Sequence, residues 1–199
     1  MQKKALFGYQ GWFMAQGDGS GGPWHHWSSA AAPNPTSATF DLWPDTSELD
    51  ADELFQTGLS YADGSNAQVF SSYKEKTVKR HFRWMAETAI DGVFLQRFVS
   101  ELKSPTYFAF RNTVTGHVCV GSTRYGRTFS IMYDISGAQE ETFVQQLKDD
   151  WAFLVDAMGV TQSPAYLREN GLPVPPRERP QSQHERDLLL RAQGPGVCP

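Results

Sequence analysis

The chain has 199 residues, of which 40% are hydrophobic; this is enough to bury one sizeable core and argues for a single globular domain over a disordered chain. A net charge of −4 supplies no basic field for nucleic acid or an anionic membrane surface, so neither partner is expected. Two cysteines, Cys119 and Cys198, are too few for a disulfide framework and lack CxxC spacing for zinc or redox chemistry.

At the N-terminus, Lys3-Lys4 precede only Ala5-Leu6-Phe7, an apolar run too short for a signal peptide, and no stretch approaches the roughly 20 apolar residues of a membrane helix. The chain is therefore expected to be unexported unless its N-terminus is incomplete, and no compartment is assigned. Ala5 to Gln10 reads as a first strand, with Gly8 and Gly11 flanking Tyr9. From Phe13 to about Pro44 no periodicity persists. Gly, Pro, Ser and Asn dominate there, with Trp12, Trp24, Trp27 and Trp43 in or beside the segment. A loop of this length is usually functional or disordered, and the tryptophans argue against disorder.

Asp50 to Thr57 is expected to be a short helix with Leu54 and Phe55 inward and Gly58 ending it, followed by a turn at Asp63-Gly64 and a strand over 68–73. Ser72 with Glu75 three residues later fits a capping box, and Val78, His81, Phe82 and Met85 share the face of the next helix. The strand Gly92-Val93-Phe94-Leu95-Gln96-Arg97 follows at once. Ser104-Pro105 opens a third helix with Tyr107, Phe110, Val114 and Val118 at helical spacing, although residues 113–120 also read as strand. Phe129 to Asp134 is the next strand. Phe143, Leu147, Trp151, Leu154, Val155 and Met158 then form the clearest helical stripe, closed by Gly159.

Four strand-helix units with apolar strands mean an α/β fold built on a parallel sheet, either a barrel or a doubly wound sheet. The glycine-rich run 17–22 leads into Pro23 and Trp24 rather than a helix, so no dinucleotide site and no other cofactor is expected, and a partial barrel is favoured. From Pro175 to Pro199 apolar periodicity is lost. This tail is expected to be disordered, with a helical turn at Leu188-Leu189-Leu190, and the folded domain to span 1–174.

In this order stand Gly8-Tyr9-Gln10-Gly11-Trp12-Phe13, Gly17-Asp18-Gly19-Ser20, Trp24 to Trp27, Asp41 to Leu49, Phe70-Ser71-Ser72-Tyr73, His81 to Met85, Ile90 to Phe98 and Ile131 to Ser136. The series resembles glycoside hydrolase-type proteins related to endo-α-mannosidases and fungal α-glucanases, a group often labelled xylosidase/arabinosidase, over about residues 5–174. The resemblance implies a (β/α)8 TIM barrel of which this chain holds about the first half, since its relatives run on into a further apolar strand where Pro175-Pro176 stands here. It also implies that the catalytic carboxylates lie in the later half and are missing. A carbohydrate is the implied partner. A non-catalytic carbohydrate-binding protein, or a half-barrel that pairs with itself to close its ring, is the alternative.

Ligands of parallel α/β folds bind at the carboxyl ends of the strands. Glycosidases need two carboxyls across the scissile bond. Asp18, Asp41, Asp45 and Asp134 stand in plausible places, with Asp45 and Asp134 the catalytic candidates. Each has a plain structural alternative: Asp134 as a cap or loop anchor, Asp45 in a capping box with Glu48. The substrate-binding candidates are Tyr9, Gln10, Trp12, Trp24, His26, Trp27, Trp43, Gln96, Arg97 and Tyr133, the aromatics stacking on sugar faces and the polar groups holding hydroxyls. Trp84 and Trp151, on helix stripes, are read as core. Arg97 could equally pair with Asp134 or Glu101 as a structural ion pair. His25-His26 with Asp41 or Asp45 is not expected to hold a metal, because adjacent histidines on extended backbone point apart and further ligands lack the spacing.

Overall fold

The structure, a computed structural model, describes residues 4–179. The chain runs β1 (Leu6–Tyr9), β2 (Leu54–Ser60), β3 (Asn66–Phe70), helix α1 (Glu75–Glu87), β4 (Gly92–Phe98), α2 (Pro105–Tyr125), β5 (Thr128–Asp134), α3 (Phe143–Ala152), β6 (Arg168–Glu169), β7 (Leu172–Pro173) and β8 (Arg177–Arg179). One parallel sheet has the order β1-β4-β5-β8, with Leu6 opposite Gly92 and Gly92 opposite Thr128. Each new strand is laid outside the last, with no reversal of direction along the sheet.

Alternation along β4 and β5 sends Val93, Leu95, Phe129, Ile131 and Tyr133 into one core with Val78 and Phe82 of α1, Phe110, Val114 and Val118 of α2, and Phe143 of α3. Helix α2 begins as its sequence foretells. Ser104 Oγ accepts from the Tyr107 amide at 3.5 Å, Pro105 occupies the first turn, and Gly126 ends the helix at φ 62°. Residues 113–120 are thus helical, which settles the strand alternative. Helix α3 widens into a π turn over Phe153–Ala157 before Gly159, again at positive φ.

Three expectations are corrected. Residues 50–57 do not form a helix: a 3-10 turn, Ala51–Glu53, leads into β2, which pairs antiparallel with β3. Tertiary contacts override the short helical pattern here. Glu53 is fully buried and accepts from Thr77 Oγ1 at 2.8 Å and Arg80 Nη2 at 2.6 Å, pinning the turn to α1. Because β3 belongs to this hairpin and not to the parallel sheet, the sheet carries three strand-helix units, not four. Ser72 does not cap α1, which starts at Glu75. Its amide donates to Phe13 O at 2.9 Å, while Ser71 Oγ donates to Asp18 at 2.6 Å, so the two serines fasten the long loop instead.

Beside β5 the next strand position is filled in two pieces. Residues 165–167 bond to both sides of Phe129, through Phe129 N to Ala165 O and Leu167 N to Phe129 O, and β8 pairs with Met132 to Asp134. Between them the β6-β7 hairpin is looped out, turning at Asn170 and Gly171, both at positive φ. Beyond Pro175-Pro176 a parallel strand is formed over 177–179, and the rest of the tail expected to be disordered lies outside the described residues. The expected turn at 188–190 and Cys198 lie outside the described residues.

The long loop builds a second core from Ala15, Trp24, Trp27 and Val69, with Phe13, Phe40, Phe55 and Phe70 packed against it. Backbone bridges Met14–His25 and Ser28–Ala38 hold it together. No helix among the described residues is long and apolar enough to cross a membrane.

Candidate functional site

At the carboxyl end of β1 the chain turns through Gly11, and Trp12 is laid against Phe98, the last residue of β4, with ring centroids 4.9 Å apart. His26 stacks on Trp12 at 4.7 Å and on Phe98 at 5.6 Å, which places the histidine of the long loop above the ends of two strands. Beside it, His25 stacks on Tyr107 of α2 at 4.3 Å.

Both imidazoles converge on one oxygen. Glu101 Oε1 lies 2.8 Å from His25 Nε2 and 3.3 Å from His26 Nε2. The expectation that neighbouring histidines point apart holds only for extended backbone, and His26 has φ 58°, in the left-handed region. That conformation costs a non-glycine residue of order 1–3 kcal/mol and turns both rings to one side. The other carboxylate oxygen, Oε2, accepts from Arg111 Nε at 2.9 Å and from its Nη2, and Arg111 Nη1 donates to Gly11 O at 3.2 Å. Burial pushes the Glu101 carboxyl up, but the hydrogen bonds from His25 and His26 and the Arg111 charge outweigh it and hold the group well below the usual carboxylate range. Burial lowers the His26 pKa and outweighs the opposing pull of Glu101, favouring the neutral ring.

These imidazoles form one wall of a cleft of about 460 Å³, whose other walls are Trp24, Tyr107 and the polar segments Ser28 to Ala30 and Thr39. None of its lining residues carries a carboxyl group; Glu101 stands behind the histidines.

Of the substrate-binding candidates, Trp24 and His26 line this cleft and Trp12 supports it. The others are placed elsewhere. Trp27 is a core residue of the loop, donating from Nε1 to Phe70 O at 2.8 Å. Trp43 is 40% exposed and packs edge-on against Phe40 and Tyr61. Gln10 is exposed at the end of β1. Tyr9 points toward α1, with its hydroxyl 2.8 Å from His81 Nδ1, and burial raises its pKa.

Gln96 and Arg97 fall on opposite faces of β4. Gln96 Nε2 donates to Asp134 Oδ2 at 2.8 Å, whereas its Oε1 is buried with no hydrogen-bond partner among the described residues. Arg97 faces the helices. It pairs neither with Asp134 nor with Glu101 but with Asp150 of α3, and also donates to Thr115 and Asn112. Tyr133 points the same way, donating to Asp150 Oδ2 at 2.7 Å, and burial followed by the Asp150 charge raises its pKa.

Asp134 is buried, and its Oδ1 accepts from the Ser136 amide at 2.9 Å, an anchoring contact for the loop after β5. Asp45 is exposed and accepts from the amide and hydroxyl of Ser47, which lower its pKa; no α-helix follows for it to cap. Asp18 is buried as a loop anchor, accepting from Ala15, Ser20 and Ser71.

Sequence reasoning named Glu101 only as a partner for Arg97 and missed its role. The usable signal was a carboxylate three residues past an apolar strand. Arg111, inside α2, gave none.

No protein-family model matches the chain, and no curated protein matches it. Among solved structures it is similar to the GH99 endo-alpha-mannosidase from Bacteroides thetaiotaomicron. The complex with bis-tris-propane aligns with a TM-score of 0.48 and 12% identity over 87% of this chain and 41% of that one. A second structure of that enzyme aligns with a TM-score of 0.47 and 14% identity over 84% and 43%. The chain spans about two fifths of the length of these solved structures.

Proposed function

We propose that this chain is about the first half of a glycoside hydrolase-like (β/α)8 barrel, and that by itself it binds oligo- or polysaccharide without cleaving it. The observation that carries the reading is the cleft at the carboxyl ends of β1 and β4: aromatic and imidazole rings, four hydroxyl-bearing side chains and no carboxyl group. Rings supply faces for the C–H surfaces of a sugar and hydroxyls supply orienting hydrogen bonds, whereas hydrolysis needs two carboxyls across the bond. The non-reversing strand order supports the barrel, since a doubly wound sheet would reverse.

Titration of the purified chain with α-linked manno-oligosaccharides and α-glucans, with reducing-sugar release followed in parallel, tests this. Binding without release, weakened by Tyr107→Ala at the cleft wall, is expected. Release well above a blank would overturn the non-catalytic part, and no binding to either class would overturn the carbohydrate part.

Self-association has one specific observation behind it: among the described residues β1 pairs only with β4, and Phe7 on this edge is 57% exposed. A monomer by sedimentation at working concentration would remove that reading.

A further inference from the structure

We propose that His25, His26 and Glu101 form a binding site for a zinc-class divalent metal ion. Three donor atoms of suitable chemistry, two imidazole Nε2 and one carboxylate oxygen, lie within 4.8 Å of one another. Tetrahedral coordination at about 2.0–2.1 Å sets donors roughly 3.3–3.5 Å apart. The two N···O separations, 2.8 and 3.3 Å, lie within about half an ångström of that spacing. Two histidines and one glutamate are a donor set used by zinc sites that keep an open position.

The surroundings favour a metal over a simple imidazole-carboxylate contact for two independent reasons. Each ligand is held by neighbours: His25 is stacked on Tyr107, His26 on Trp12 and Phe98, and Glu101 is gripped by the buried Arg111, which holds Oε2 and leaves Oε1 to the histidines. In addition, His26 is held in the left-handed region, an outlay in backbone energy that directs its ring to the same point as that of His25. The guanidinium of Arg111 opposes a cation by repulsion, but it is engaged on the far oxygen.

The inference does not depend on what else occupies the cleft, and its test contains no glycan, so it fails separately from the carbohydrate reading. The purified chain, freed of metal by a chelator, is titrated with Co²⁺ and then Zn²⁺. The expected result is one equivalent of Co²⁺ producing an intense visible absorption of four-coordinate cobalt, which Zn²⁺ displaces. This band is lost in His26→Gln and in Glu101→Gln and kept in His117→Ala, whose histidine lies on α2 beside Tyr73 O. Absence of the band in a chain with native circular dichroism overturns the proposal, as does its persistence in His26→Gln. Should the variants fail to fold, the wild-type ring-proton resonances decide: Zn²⁺ must move those of His25 and His26 and leave those of His81 and His117 in place, and any other pattern refutes the site.

Discussion

Arg97 on β4 grips Asp150 on α3 at two points, Nε to Oδ2 at 2.9 Å and Nη2 to Oδ1 at 2.5 Å, with both side chains almost wholly excluded from solvent. Removing one partner leaves a buried charge uncompensated, so Asp150→Ala should cost about 3–5 kcal/mol. The apolar pair Arg97→Met with Asp150→Leu should cost markedly less than the single change. Urea denaturation of the two variants and the parent checks this. Equal losses would mean that the pair is not the anchor of α3.

His81 on α1 meets the Tyr9 hydroxyl, and burial, opposed by Glu53 and aided by Arg80, lowers its pKa to about 4. The folded state thus binds the proton less readily than the unfolded chain. Its contribution to stability is present in full above the ordinary histidine range near 6.5 and is lost as pH falls toward 4. The loss is of order 2–3 kcal/mol. Stability curves at pH 7 and pH 4.5 should converge for His81→Phe relative to the parent; an undiminished pH slope in this variant would assign the effect to other groups.

Two glycines of α2 should respond to alanine with opposite signs. A Cβ on Gly121 would stand 2.9 Å from Cδ2 of the buried Phe82, at the crossing of α1 and α2, whereas a Cβ on Gly116 meets nothing within 4 Å. Gly121→Ala should destabilise by about 1–3 kcal/mol through overpacking. Gly116→Ala should stabilise by roughly 0.5–1 kcal/mol through helix propensity alone. Thermal midpoints of both variants test the helix contact directly.

The two inner strands of the sheet, β4 and β5, were legible because they are largely buried on both faces. Gly92 to Phe98 and Thr128 to Asp134 are mostly apolar for that reason, and they were found within a residue or two of their ends. The β2-β3 hairpin was not legible. Leu54 and Phe55 followed by Gly58 imitate a helix end locally, and only the distant partners of Glu53 on α1 decide otherwise. The site was half legible. Trp24 and His26 line the cleft and Trp12 stacks on His26, but the direction of a side chain on a strand is set by register, which sent Arg97 and Tyr133 to the helices. The meeting of His25 and His26 at Glu101 depends on one backbone angle that no residue pattern announces.

The aromatic cluster beneath the long loop, centred on Trp27 and Val69, determines how a ligand would be received. A segment with its own core and its own backbone bridges has already lost the freedom that a mobile lid would surrender on closing. Occupants of the cleft then meet a wall whose shape is fixed beforehand, and little of their affinity is spent on ordering protein. Association should accordingly resemble docking to a rigid surface, with selectivity arising from fit and not from folding around the guest.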